Sequence, residues 1–116
     1  MKEGDVILVP LPQADGQRKP RPAIILRMLP PFGDFLVCGV SSQLRQQVPG
    51  LDELILRTDE DFADSGLQMD SLIRAGFLAI YTPQQVIGDI GEISSERHRR
   101  LLKQLADFLV STKRFA

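Results

Sequence analysis

Apolar residues in this chain fall into short runs cut by Pro, Gly and Asp as far as residue 93, and into a three-and-four repeat after it. Short β-branched runs between turn residues are the pattern of strands, and the later repeat is that of an amphipathic helix. "DVILVPLP" (Asp5–Pro12) is closed by prolines and predicts a strand at or near a sheet edge. "QADGQRKP" follows as a turn-rich loop in which Asp15 and Gly16 make the reversal. On this reading Arg18, Lys19 and Arg21 sit on a turn, just before the next strand. "PAIILRML" (Pro22–Leu29) and "DFLVCGVSSQL" (Asp34–Leu44) predict two more strands, joined by the turn "PPFGD".

"LDELILRT" (Leu51–Thr58) predicts a fourth strand with Leu54 and Leu56 on one face, followed by a short helical turn at Asp61–Ala63 and then Gly66. "DSLIRAGFLAIY" (Asp70–Tyr81) predicts a fifth. Its alternation puts Leu72, Arg74, Gly76 and Leu78 on one side and Ile73, Ala75, Phe77 and Ala79 on the other. The glycine-punctuated "QVIGDIGEI" is a sixth. In "SSERHRRLLKQLADFLVSTKRF", Leu101, Leu102, Leu105, Phe108 and Leu109 recur at helical spacing. Ser94 suits the N-cap, Glu96 the first turn, and Lys113 and Arg114 the last. The fold class is therefore α+β, mostly β: an SH3-like small barrel of curled antiparallel strands with a C-terminal α-helix, one domain over residues 1–116.

Composition leaves this picture intact. At 43% apolar and 25% charged residues, the chain has the balance of a folded domain rather than a disordered one. Its one cysteine, Cys38, cannot form an internal disulfide and lies in the apolar "FLVCGVSS", where it reads as a small buried residue in a reducing compartment. No run approaches the roughly 18 apolar residues of a membrane span, and "MKEGDVILVPLP" lacks the pattern of a signal peptide. A cytoplasmic protein with no membrane association is expected.

Charge is uneven beneath a net value of −1. Residues 59–70 carry five acids and no base, whereas residues 15–27 set Arg18, Lys19, Arg21 and Arg27 against Asp15 alone. The last helix is also basic. Such patches matter more to a polyanion than the sum does. The acidic stretch reads as a surface loop or a site of contact with a partner.

Most familiar chemistry is missing. The sequence holds no CxxC pair, HExxH, P-loop, GxGxxG or GxSxG, so no metal and no cofactor are expected. The lone His98, between Arg97 and Arg99, reads as a solvated or helix-flanking residue. Cations and hydroxyls remain. Arg21 stands between Pro20 and Pro22, which restrain its backbone so that the guanidinium can be offered as a fixed fork to a phosphate. Arg74 interrupts an apolar strand, where it requires an anionic partner or a solvated pocket.

In order and spacing, these segments resemble the MazF/PemK family of toxin endoribonucleases. "GDVILVPLP" and "RPAIIL" are similar to that family's first two strands, "FLVCGVSSQ" to the strand ending in Thr or Ser, and "DSLIRAGFLAIYT" to the S-x-[VI]-R motif of the PemK branch. The resemblance runs from about Gly4 to the C-terminal helix. It implies metal-independent, sequence-specific cleavage of single-stranded RNA, in which a ribose 2′-hydroxyl attacks the adjacent phosphorus. By position it makes Arg21, Ser41 and Arg74 the catalytic residues, the arginines stabilising or protonating and Ser41 orienting. Arg18, Lys19, Ser42 and Gln43 would hold the RNA. A cognate antitoxin and a homodimer are implied with it. Two departures stand out. Ser41 replaces the usual threonine, and Gly76 stands where the PemK branch often has Asp, so no residue is assigned as general base. Two non-nuclease readings stay open: a binding module on the same barrel, like the gyrase-binding CcdB-type toxins, and a degenerate relative that only binds RNA.

Overall fold

The first hairpin runs further than its apolar residues do. In the computed structural model, which describes residues 1–12 and 15–111, β1 (Asp5–Pro12) pairs with β2 (Arg18–Leu29) as far as Pro12 opposite Arg18. Pro10 lies opposite Pro20 and Leu8 opposite Pro22. These positions share one parity, at which N–H groups point away from the hairpin partner, so the prolines remove no rung between the two strands. The Pro10 carbonyl accordingly turns outward, accepting from the Tyr81 hydroxyl and the Arg18 guanidinium. The expected basic turn is thus corrected: Arg18, Lys19 and Arg21 belong to β2, extended there by its pairing with β1. Gln13 and Ala14 of that turn lie outside the described residues.

The remaining strands are β3 (Asp34–Ser41), β4 (Glu53–Ile55), β5 (Ser71–Tyr81) and β6 (Gly88–Glu92), in the order β4-β5-β3-β2-β1-β6 with every pair antiparallel. The sheet curls into a half-barrel. Register shifts at Val6/Ile7, at Ile25/Arg27 and at Cys38/Gly39 mark the irregularities that bend it. Helix α1 (Phe62–Ser65) ends on Gly66 in the left-handed conformation, and α2 (Ser95–Val110) closes the described chain.

Each sheet face carries a buried cluster. Val6, Ile24, Leu26, Cys38, Ile55, Ile73 and Ala75 pack with Leu101 and Leu105 of α2 on one, while Ile7, Val9, Ala23, Ile25, Phe35, Val37 and Tyr81 form a second cluster. Cys38 is fully buried, and loss of water pushes its thiol up to about 12. Ser94 caps α2, its hydroxyl accepting from the Arg97 N–H. The last turn of the helix leaves the core, with Phe108 and Leu109 exposed rather than continuing the buried stripe. Lys113 and Arg114 lie outside the described residues. Among the described residues, no helix is long and apolar enough to cross a membrane.

Three further expectations are corrected. Of the strand expected over Leu51–Thr58 only Glu53–Ile55 is strand, and the face it buries carries Glu53 and Ile55, while Leu54 and the following Leu56 are half-buried. The reason is Arg97. Its guanidinium is buried and donates to Glu53, to both oxygens of Asp61, to Asp59 and to the Leu54 carbonyl, at 2.8–3.1 Å. Part of the acidic stretch is therefore more than a bare surface loop, because Asp59 and Asp61 are the internal partners of this arginine. His98 is not simply solvated: its Nε2 donates to the Leu26 carbonyl at 2.8 Å. Leu26 is the extra residue between Ile25 and Arg27 in the β2–β3 ladder, so its carbonyl needs a partner from outside the sheet.

Candidate active site

Register alone brings the candidate residues together. Ala23 of β2 lies opposite Gly39 of β3, and Gly39 lies opposite Arg74 of β5. Continuing the β2–β3 register by two residues sets Arg21 in line with Ser41, which itself pairs with Leu72. Because side chains alternate across a strand, Arg21, Gly39, Ser41 and Arg74 share one face of the sheet. The middle of this row is small: Ala23, the bare backbone of Gly39, and Ser41. A depression forms there while the flanking positions carry long cations.

The depression is a groove of about 680 Å³. Arg21, Ser41, Arg74, Ser42 and Gln43 all line it, whereas Arg18 and Lys19 do not. Arg18 is instead directed at the Pro10 carbonyl, 3.3 Å away. The far wall comes from residues 66–69 after α1 and from Ile90 of β6. That segment is held by the Ser71 hydroxyl, which donates to the Met69 carbonyl at 2.7 Å.

Ser41 Oγ accepts from the Gln43 N–H at 3.0 Å, a turn contact that orients the oxygen and leaves its own proton to be donated. Arg74 is half-buried, and among the described residues it makes no ion pair; its guanidinium lies 5.4 Å from the centre of the Phe77 ring. Among the described residues, no carboxylate and no histidine lines the groove. Two guanidiniums facing hydroxyls and amides, in a lining that holds no acid among the described residues, make a site suited to a phosphate. Among the described residues, no group of three or more His, Cys, Asp or Glu side chains is placed to hold a metal ion.

The fifth strand departs from the expected alternation. One step along β3, from Gly39 to Cys38, spans Arg74 to Leu78 on β5, so Ala75, Gly76 and Phe77 bulge out of the ladder. The Ala75 N–H, which the bulge removes from the sheet, is taken by the buried Asp52 carboxylate at 3.1 Å. Gly76 does not line the groove, and a Cβ there would meet Leu51. Phe77 and the wall at residues 66–69 are the parts that reading the sequence missed. A glycine inside the apolar β3 run was the available signal, since such a residue marks a close approach by something else.

No curated protein matches the sequence. Among solved structures, the toxin MazF-mt6 of Mycobacterium tuberculosis matches with a TM-score of 0.67, over 90% of this chain and 95% of its own, at 16% identity, a likeness of fold. The family model of the PemK-like, MazF-like toxins of type II toxin–antitoxin systems matches residues 2–109, which span every strand of the groove and nearly all of α2, and the chain belongs to that family.

Proposed function

We propose that this toxin is a metal-independent endoribonuclease that cleaves single-stranded RNA in the groove between β2, β3 and β5. The observation that carries the proposal is the convergence of Arg21, Ser41 and Arg74, from three strands, on one groove whose described lining holds no acid. In the reaction the ribose 2′-oxygen bonds to phosphorus, the bond from phosphorus to the 5′-oxygen breaks, and a 2′,3′-cyclic phosphate and a 5′-hydroxyl result. Negative charge builds on the phosphoryl oxygens, where fixed guanidiniums stabilise it most. Arg21 and Arg74 supply those donors, one of them also hydrogen-bonding the departing 5′-oxygen. Ser41 donates to a phosphate oxygen or orients the 2′-hydroxyl. With no carboxylate or imidazole in the lining, the 2′-proton passes to solvent hydroxide, and the leaving oxygen regains a proton from water.

Ser42 and Gln43, on the groove rim, are assigned to the bases of the strand; Arg18 and Lys19, off the groove, to phosphates further along it. The same groove would take the antitoxin, through an acidic segment that mimics RNA and orders on binding. The active form is taken to be a cytoplasmic homodimer.

The test is cleavage of a long single-stranded RNA in EDTA by antitoxin-free protein. Discrete fragments with cyclic-phosphate ends are expected. Arg21→Ala, Arg74→Ala and Ser41→Ala should each lower the rate, the arginine variants by about 10²–10³-fold. A folded wild type that cleaves nothing would move the protein to the non-catalytic binding reading, which the lack of an acid–base side chain in the groove favours.

A further inference from the structure

Three observations meet at Phe77. It belongs to the bulge that β5 makes opposite Gly39, a Cβ placed on Gly39 would lie 2.7 Å from its Cδ1, and the Arg74 guanidinium stands over its ring at 5.4 Å. From that same Cβ position, the ring neighbours Cε1 and Cγ lie at 3.4 and 3.6 Å. One near carbon with two receding neighbours is the signature of a ring edge. The edge of Phe77 therefore occupies the space that any side chain at position 39 would need, and a face of the ring is turned to Arg74.

A phenylalanine in this setting is not explained by burial, because it remains 43% exposed. Nor does Arg74 have an acidic partner among the described residues to hold it, as Arg97 has. A long arginine on a strand next to an open groove samples several rotamers, each of which carries its guanidinium to a different place. A ring face beneath the guanidinium favours one of them through the ring quadrupole, without neutralising the charge as a carboxylate would.

We infer that Phe77 is a positioning residue: seated edge-on against Gly39, it holds the Arg74 guanidinium over its face and so keeps an un-neutralised cation aimed into the groove. The β5 bulge makes this possible, since it brings residue 77 back to the same sheet position that Arg74 faces. Gly39 is then required for its missing side chain rather than for backbone freedom.

The first test does not depend on catalysis. In the wild type, the Arg74 Nε–H proton should resonate upfield of the other arginines through the ring current, remain so in Phe77→Tyr, and return to the ordinary position in Phe77→Leu. Gly39→Ala, which displaces the ring without removing it, should also abolish the shift. No upfield shift in the wild type, or a shift unchanged in Phe77→Leu, overturns the inference.

The second test rests on the nuclease reading above. Phe77→Leu should lower kcat about 3- to 10-fold with KM little changed, and Phe77→Tyr should restore it. A loss confined to KM would make the ring a stacking surface for a base and overturn the positioning role. If the wild type cleaves no RNA, the nuclease reading falls, while the resonance of Arg74 still decides this one.

Discussion

Replacing Arg97 with methionine should cost the protein much of its stability, and should cost less in acid. The wild-type guanidinium makes five hydrogen bonds, two of them in a fork to Asp61 at 2.8 and 3.0 Å. Its side chain is 7% exposed, with Glu53 at 10% and Asp61 at 11%. Glu53 would keep Arg100 and Gln104, and Asp59 would keep the Leu56 N–H. Asp61 would keep its hydrogen bonds from Ser94 but no cation. Removing one partner of a buried pair and leaving the other charged costs about 3–5 kcal/mol. For a chain of this length that corresponds to a fall in Tm of about 12–20 °C.

The pH dependence separates this cause from simple loss of packing. Burial pushes the Asp61 carboxyl up, but the Arg97 hydrogen bond and the Ser94 N–H outweigh it and bring the group down to about 2. A carboxyl held below its unfolded value stabilises the fold above about pH 4, and that contribution is lost as pH falls towards 2. In Arg97→Met the cation is gone while burial and the neighbouring carboxylates remain, so the folded Asp61 titrates above its unfolded value. The variant then gains stability as pH falls from 7 towards 4.5, as the group takes up its proton. Urea denaturation of both proteins at pH 7 and pH 4.5 should show the gap narrowing. A gap below about 1 kcal/mol at pH 7, or one equal at both pH values, would refute the reasoning.

Other expectations follow from close contacts and buried groups. A Cβ on Gly91 would collide with the backbone of Asp64 and Ser65, whereas one on Gly88 of the same strand meets nothing within 4 Å. Gly91→Ala should therefore cost about 3 kcal/mol by thermal melting, and Gly88→Ala within about 0.5 kcal/mol of nothing. Asp52 accepts the N–H groups of Val48 and Ala75 from inside the protein. Asp52→Ala should destabilise by about 3 kcal/mol and remove hydrogen-exchange protection at both amides; protection retained at Ala75 would mean the bulge finds another acceptor. Cys38, buried with its thiol raised to about 12, should resist maleimide in the native state and react at the rate of unfolding. Rapid native labelling would contradict that burial.

The sequence by itself determined the element types and the cap on α2, because each is written in neighbouring residues. β-branched runs between turns leave the chain few alternatives to strands, and Ser94 before a helical repeat is a local hydrogen-bond arrangement. The arginine beside two prolines and the hydroxyl at the end of β3 were also visible as candidates. What tertiary structure decided was which of them meet. Arg21, Ser41 and Arg74 share a groove because three strands pair in one register, and Arg18 and Lys19 are excluded from its lining by that register. The alternation expected of β5 failed at residues 75–77, since nothing local to that strand announces that Gly39, on a different strand, leaves space for a ring. The acidic stretch stayed unexplained for a similar reason. Its answer, Arg97, lies 36 residues from Asp61 and 38 from Asp59 along the chain. A sequence pattern records which side chains leave water, whereas the pairing of charges and the shape of a groove depend on which distant segments the fold sets side by side.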